Sequence, residues 1–486
     1  QGASESSSPS SSIPGSNLTL ADGTTSPQNL IYSVTPSSAD NCVGDPFLVT
    51  ITVNPTAQVD EVVSQVLCNN ETTDAINFST ENSGGTTTYA WTNNNTNIGL
   101  GASGDGNIPS FTAIAGTTSE TATIVVTPTF TNNDVQCTGP SKEFTITVNP
   151  TAQVNEVASQ VLCNTESTNE VIFTTTNTDG TTTYAWENNN TATGLEASGN
   201  GNIPSFTATA GTSPEVSTIT VTPTYTNNEI SCTGPSFTFS ITVNPTAQVD
   251  LPDNYEYCDG DTTDIVFTTS NGGDDSVTTY SWAVISDEDL GLPSTGDGNI
   301  SELVTNTTND ILTATISVTP TYTNAGESCT GPSKEFTITV NPTAQVEGID
   351  PIVVCNGDDI ADIVFSTANT NGTTIYSWTN DNTSIGLGAS GDGNISGFEA
   401  DNETNDPITA NITVIPSYNA EDPLACTGEE MTFTITVNPT AQVDQPVNYE
   451  YCDGDTTDIV FTTLNGGDDS VTTYSWSVIS DEDLGL

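Results

Sequence analysis

Over most of the chain, hydrophobic residues come singly and alternate with Thr, Ser and Asn. Phe144, Ile146 and Val148 alternate with Thr145 and Thr147, the period-two pattern of a half-buried strand. Runs of this kind are short and are punctuated by Gly, Asp, Asn and Pro, which break strands and make turns. No stretch carries helical periodicity of useful length. The pattern predicts an all-β protein.

The strand pattern itself repeats. [TS]-I-T-V-N-P-T-A-Q-V occurs five times, with Asn-Pro at Asn54-Pro55, Asn149-Pro150, Asn244-Pro245, Asn341-Pro342 and Asn438-Pro439. A fixed period of 95 to 97 residues means a tandem array. Each proline removes a ladder donor and holds the preceding Asn extended, so the motif reads as a last strand, a stiff joint and the start of the next unit. The expected organisation is a Ser/Pro-rich linker at 1–16, then a partial repeat at 17–54 that matches only the C-terminal half of a unit. Full repeats follow at 55–149, 150–244, 245–341 and 342–438, and a partial repeat, an N-terminal half, at 439–486.

Within a full repeat the signals keep one order. A first strand runs to a cysteine (Cys68 in the first full repeat), and an acidic turn and a second strand such as Ile172-Phe173 follow. Next come Tyr-x-Trp, a G-[DN]-G-N-I stretch, a strong strand through T-P-T-[FY] (I-P-S-Y in the fourth full repeat), a C-T-G loop with the second cysteine, and the closing strand. About seven strands in some 95 residues, with one Trp on the third, is an immunoglobulin-like sandwich pattern. The proline of T-P-T, in what should be a central strand, predicts a bulge or strand end.

Composition narrows the function. The chain has 486 residues and 33% hydrophobic content, which suits several thin sandwich cores better than one large one. There are 62 acidic residues against two lysines, with no histidine or arginine, for a net charge of −60. Nothing can neutralise phosphate, which excludes nucleic acid, and an anionic membrane surface repels the chain. No run approaches the roughly 18 apolar residues of a membrane span. Without histidine or arginine, nucleophile–base triads and phosphate clamps have no members. A unit repeated every 95 residues is also not how one active site is built, so no enzyme is expected. The acidity reads first as solubility and self-repulsion.

The T-I-T-V-N-P-T joint, Tyr-x-Trp, V-T-P-T-Y and C-T-G together resemble the PKD-like, Ig-related repeats of very large surface adhesins in gliding and marine Bacteroidota, which the type 9 secretion system exports. The resemblance covers nearly all of residues 17–486. It implies an extended rod of tandem Ig/PKD-like β-sandwich domains, located outside the cell at its surface. It also implies attachment or gliding motility as the role, and the secretion and motility machinery of the outer membrane as a partner. Adhesion to extracellular surfaces or polysaccharide would lie in regions outside this chain. The near identity of Asn254–Leu292 and Asn448–Leu486 points to recent duplication within a longer array. The same repeats serve elsewhere as passive stalks of secreted enzymes.

Four sets of residues are candidates for more than packing. Trp91, Trp186, Trp282, Trp378 and Trp476 are expected to be the aromatic centres of the sandwiches; the alternative is a stacking platform for sugars. The acidic turns Asp259/Asp261/Asp264, Asp358/Asp359/Asp362 and Asp453/Asp455/Asp458 read first as solvated turns; the alternative is Ca²⁺, which oxygen-rich turns suit, the one cofactor considered and none being required. The corresponding positions in the first two full repeats are weaker, Asn69/Glu71/Asp74 and Asn164/Glu166/Glu170. Asp261-Thr262-Thr263 and Asp275-Ser276-Val277 match a short O-glycosylation signal. Ten cysteines without a Cys-x-x-Cys or histidine suggest disulfides in an oxidising setting rather than zinc.

Three regular disulfide sets are open. Pairing within repeats (Cys68–Cys137, Cys163–Cys232, Cys258–Cys329, Cys355–Cys426) is favoured on base rate, although the first turn and last hairpin of such a sandwich lie at opposite ends. Pairing across a joint, as in Cys137–Cys163, needs an extended segment to fold back. Pairing between neighbours, as in Cys68–Cys232, needs head-to-tail stacking.

Overall fold

A computed structural model describes residues 12–13, 15, 17–272, 278–418, 424–466 and 472–480. Most of the Ser/Pro-rich segment 1–16 and the motif Asp275-Ser276-Val277 lie outside them. The chain forms two compact units, Gln1–Val243 and Asn244–Leu486. The described residues are all-β apart from single 3₁₀ turns, and the sandwiches recur in tandem.

In the first unit, β1 (Gln28–Val34) and β2 (Phe47–Val53) form an antiparallel ribbon. Next come β3 (Gln65–Cys68), β4 (Thr86–Asn93), β5 (Ser103–Asp105), β6 (Glu120–Asn132), β7 (Val135–Thr138) and β8 (Lys142–Asn149). These make one sheet in the order β3-β8-β6-β4-β5, with β7 paired to the far end of β6. The pattern recurs in β9 (Gln160–Cys163), β10 (Thr181–Asn188), β11 (Ser198–Asn200), β12 (Glu215–Asn227), β13 (Ile230–Thr233) and β14 (Phe237–Asn244). In the second unit, Tyr255–Cys258 and Ile352–Cys355 open two further sheets of the same order.

The facing layer is thin. The expected second strand is reduced to isolated bridges, Ile76↔Ile108 and Thr72↔Thr112 in the first sandwich and Val171↔Ile203 in the next. β6 shows why alternation makes this fold: Ala122, Ile124 and Val126 point inward at zero exposure, each large one contributing roughly 1.5–3 kcal/mol of burial. The opposite face carries Thr, and Thr121 and Thr147 lie 3.1 Å apart across the strands. Thr313–Thr339 and Thr409–Thr436 repeat that pair. Cross-strand Thr pairs stabilise a sheet without charge, which accounts for the Thr-rich composition.

Trp91, Trp186, Trp282 and Trp378 are buried in the cores, as expected. Each ring lies flat against the first glycine of G-[DN]-G-N-I: a Cβ on Gly199 would stand 2.6 Å from Trp186 Cε2. The Asn of the same stretch accepts from the facing strand, as in Phe78 N to Asn107 Oδ1 at 2.9 Å, and its Ile is buried. The motif is therefore a seat for the tryptophan. Trp476 departs from the expectation and is 67% exposed; among the described residues no strand follows Asn438.

The T-P-T proline neither bulges nor ends its strand. β6 runs through Pro128, which pairs in register with Tyr89. On its other edge β6 pairs with β8 only up to Val126, and with β7 only from Thr129. The proline thus sits where one neighbour is exchanged for another, a position that requires no N–H. Its carbonyl still accepts from Gly139 N at 3.0 Å.

Candidate functional site: the inter-repeat junction

The first and last strands of each sandwich are parallel. β3 pairs with β8 so that Cys68 stands opposite Asn149, and Tyr255–Cys258 pairs with Lys334–Asn341 so that Cys258 stands opposite Asn341. This places the first cysteine at the end of the repeat that leads into the joint. The second cysteine lies at the other end: Cys137 pairs with Phe130, past the start of β8. At about 3.3 Å per residue the two are roughly 35 Å apart along the sheet, against a Cα separation under about 7 Å for a disulfide.

The within-repeat set is accordingly replaced by bonds between neighbours. Cys68 bonds Cys232 with Cα atoms 5.6 Å apart, and Cys258 bonds Cys426 at 5.5 Å. Cys163 and Cys329 are also disulfide-bonded. Cys42, Cys137, Cys355 and Cys452 are free, so Cys137 and Cys355 do not take the roles expected of them.

Around each staple the polar residues of the joint make hydrogen bonds, although Asn341 Oδ1 is buried without a partner. In the first unit Asn149 is buried; its Nδ2 donates to Asn227 O at 3.0 Å, and its Oδ1 accepts from Ser119 Oγ at 3.1 Å. Asn69 N donates to Asn149 O at 2.8 Å, and Asn69 Nδ2 donates to Thr151 Oγ1 at 3.0 Å. A third contact comes from Thr117 O, which accepts from Thr178 N at 3.2 Å and Asn177 Nδ2 at 3.3 Å. In the second unit Thr343 Oγ1 donates to Asp259 Oδ2 at 2.7 Å, and Thr370 N donates to Asn309 O at 2.9 Å. The Ala of N-P-T-A-Q closes the seam within each repeat. Ala152 lies so close to Gly234 of C-T-G that a Cβ there would stand 2.7 Å from the Ala152 carbonyl carbon.

The acidic turns belong to this junction. The carboxylate three residues after each first cysteine accepts that cysteine's N–H: Glu71, Asp261, Asp358 and Asp455 do so at 2.7–2.8 Å, as does Glu166 for Cys163. Asp and Glu interchange because the requirement is an acceptor at that reach. Asp259 is spent on Asn306 N and Thr343, and Asp362 on Gly397 N at 2.7 Å. Asp359 lies in a two-residue strand paired with Phe398–Glu399. Asp264, Asp453 and Asp458 join no such set. Among the described residues no group of three or more His, Cys, Asp or Glu comes together as a metal site.

Electrostatics elsewhere are sparse. Lys142 pairs with Glu61 at 2.7 Å. Burial raises the pKa of Tyr225, with a smaller push from Asp179, and raises that of Tyr418, with Asp310 adding. Both hydroxyls donate to carbonyls, Thr178 O and Thr370 O, at 2.8 Å. Sequence reasoning missed the junction as a site. The signal was there in the T-A-Q that follows every Asn-Pro, since a joint that only had to be stiff would not need the same small residue each time.

A family profile for a PKD-like domain matches residues 5–57. No curated protein sequence matches the chain. Solved structures with similarity include the human desmocollin-1 ectodomain, at 12% identity over 79% of this chain and 82% of that one, TM-score 0.26. Protocadherin gamma B2 cadherin domains 1–5 are similar at 11% identity over 86% and 87%, TM-score 0.27. Sidekick-1 immunoglobulin domains 1–5 are similar at 11% over 85% and 95%, TM-score 0.26.

Proposed function

We propose that the chain is the stalk of a large secreted cell-surface adhesin, working outside the cell as an extended, non-catalytic rod. The observation that carries this reading is the inter-repeat disulfide beside every buried joint Asn of the stapled pairs. An array stapled from repeat to repeat resists bending and separation, and disulfides persist in an oxidising compartment. A net charge of −60 keeps such an array extended and free of lateral association. Stability then resides in the repeats and their nearest-neighbour contacts. Export by the type 9 machinery, attachment and gliding complete the proposal, with the adhesive chemistry carried outside these residues.

The test is made on intact cells. Antibody against the repeats should label unpermeabilised cells and should be lost when the secretion machinery is disabled. Deletion should reduce attachment to surfaces. The intact native protein should have a mass well above that of these residues alone. Labelling only after permeabilisation, or unaltered attachment without the protein, would sink the reading.

A further inference from the structure

Two staples leave a short covalent route through a long chain. Cys68–Cys232 closes a loop with a sequence separation of 164, and Cys258–Cys426 closes one of 168. Between them the backbone runs only from Cys232 to Cys258, through β14, the joint Asn244-Pro245 and the strand Tyr255–Cys258. We infer that the staples are a tension bypass: load entering at Cys68 crosses to Cys232, follows that short segment to Cys258, and crosses to Cys426. The tryptophan cores lie inside the closed loops, off the route.

The extension of a chain between two points is limited by its shortest covalent path. Cys68 to Cys426 spans roughly 360 residues, or about 1,200 Å when fully extended, at about 3.3–3.6 Å per residue. With both staples closed the same two points are joined by roughly 26 residues, about 90 Å. Unfolding a bypassed sandwich therefore adds almost no length. Whatever link Cys163 and Cys329 make is a parallel route, which cannot lengthen the shortest one.

The segment that does bear load is built for it. β14 lies inside its sheet, between β12 and the edge strand β9, and Tyr255–Cys258 is paired along its whole length with Lys334–Asn341. Pulling on either strand along its axis loads its ladder bonds together instead of peeling them one at a time. The biological meaning of the bypass rests on the stalk reading. The covalent argument does not, since it follows from connectivity alone.

The test is single-molecule force spectroscopy on the full oxidised chain held at its two ends, with the Cys68–Cys232 and Cys258–Cys426 links first confirmed by non-reducing peptide mapping. The segments before Cys68 and after Cys426 lengthen alike with or without reductant and cancel in the comparison. Reduction should increase the total released length by about 1,100 Å, more than a tenfold change for the Cys68–Cys426 interval. The double variant Cys68→Ser/Cys232→Ser should release about half of that while oxidised, whether or not its repeats fold natively, because the readout is covalent length. An oxidised wild-type chain that extends in repeat-sized steps of about 330 Å, summing to the reduced length, would overturn the bypass, as would absence of the two links from the map. A bypass confirmed on a protein that proves to be intracellular would leave this result standing and defeat only the stalk.

Discussion

The C-T-G glycine gives a prediction whose size follows from the coordinates. At Gly234 a Cβ would run into the Ala152 main chain, and Ala152 is buried with no room to retreat. Overpacking a core commonly costs about 1–3 kcal/mol. Here both sides of the clash are backbone, so Gly234→Ala should cost about 3 kcal/mol or more, by lifting the joint off its seat and weakening the Gly234 N to Pro223 O bond. Gly199→Ala meets the Trp186 ring, which can tilt, and should cost about 2 kcal/mol. Gly201→Ala has open space but a φ of +72°, for about 1–2 kcal/mol of left-handed strain. Gly211→Ala has open space and no positive φ, and should be neutral or stabilising by up to about 1 kcal/mol. Five tryptophans blur a global fluorescence melt, so the assay is native-state hydrogen exchange resolved by peptide, which reports the opening free energy of one repeat. A Gly234→Ala protein as stable as Gly211→Ala would refute the docking of T-A-Q on C-T-G.

Further outcomes can be checked more simply. A non-reducing peptide map should join the Cys68 peptide to the Cys232 peptide and Cys258 to Cys426; a Cys68–Cys137 link would contradict the parallel first-to-last strand pairing. Because burial raises the Tyr225 and Tyr418 pKa values in the folded state, their contribution to stability is complete below the unfolded phenol value near 10 and is lost as pH rises through the folded value. Circular dichroism should hold to about pH 10 and then fall together with the appearance of tyrosinate absorbance; full ionisation near pH 10 with the fold intact would contradict it. Asp259→Asn should cost less than about 0.5 kcal/mol, since Asn fills the equivalent turn at Asn69, whereas Asp261→Ala should cost about 1 kcal/mol by leaving Cys258 N without its acceptor. Calcium or a chelator should leave the melting temperature unchanged, because those carboxylates are already engaged by N–H and O–H donors; a rise of several degrees with calcium would reverse that assignment.

The all-β fold was legible because Thr alternating with Ile, Val and Phe has one reading, and the burial of four tryptophans followed from one per sandwich. The disulfide map was not legible. It depends on β3 running parallel to β8, a long-range pairing with no local sequence signature, and the base rate for small sandwiches pointed the other way. The acidic turns left two readings open for a related reason. A row of carboxylates looks the same in sequence whether it faces a cation or a row of N–H groups, and only the drift from Asp261 to Glu71 at one position hinted at the latter. At Pro128, the rule that proline ends a central strand failed because the strand changes partner there.

The staple also has an order in time. Cys68 appears early in its repeat, while Cys232 lies on β13, just before the closing strand of the repeat that follows. A chain made and exported from its N-terminus thus exposes each first thiol well before its partner exists, and the bond can close only after the next sandwich has formed its final hairpin. Oxidation then trails folding by one repeat. A Cys68 or Cys258 thiol that still reacts is a chemical record that the domain after it has not been finished, whereas Cys137 and Cys355 are free in the folded chain as well.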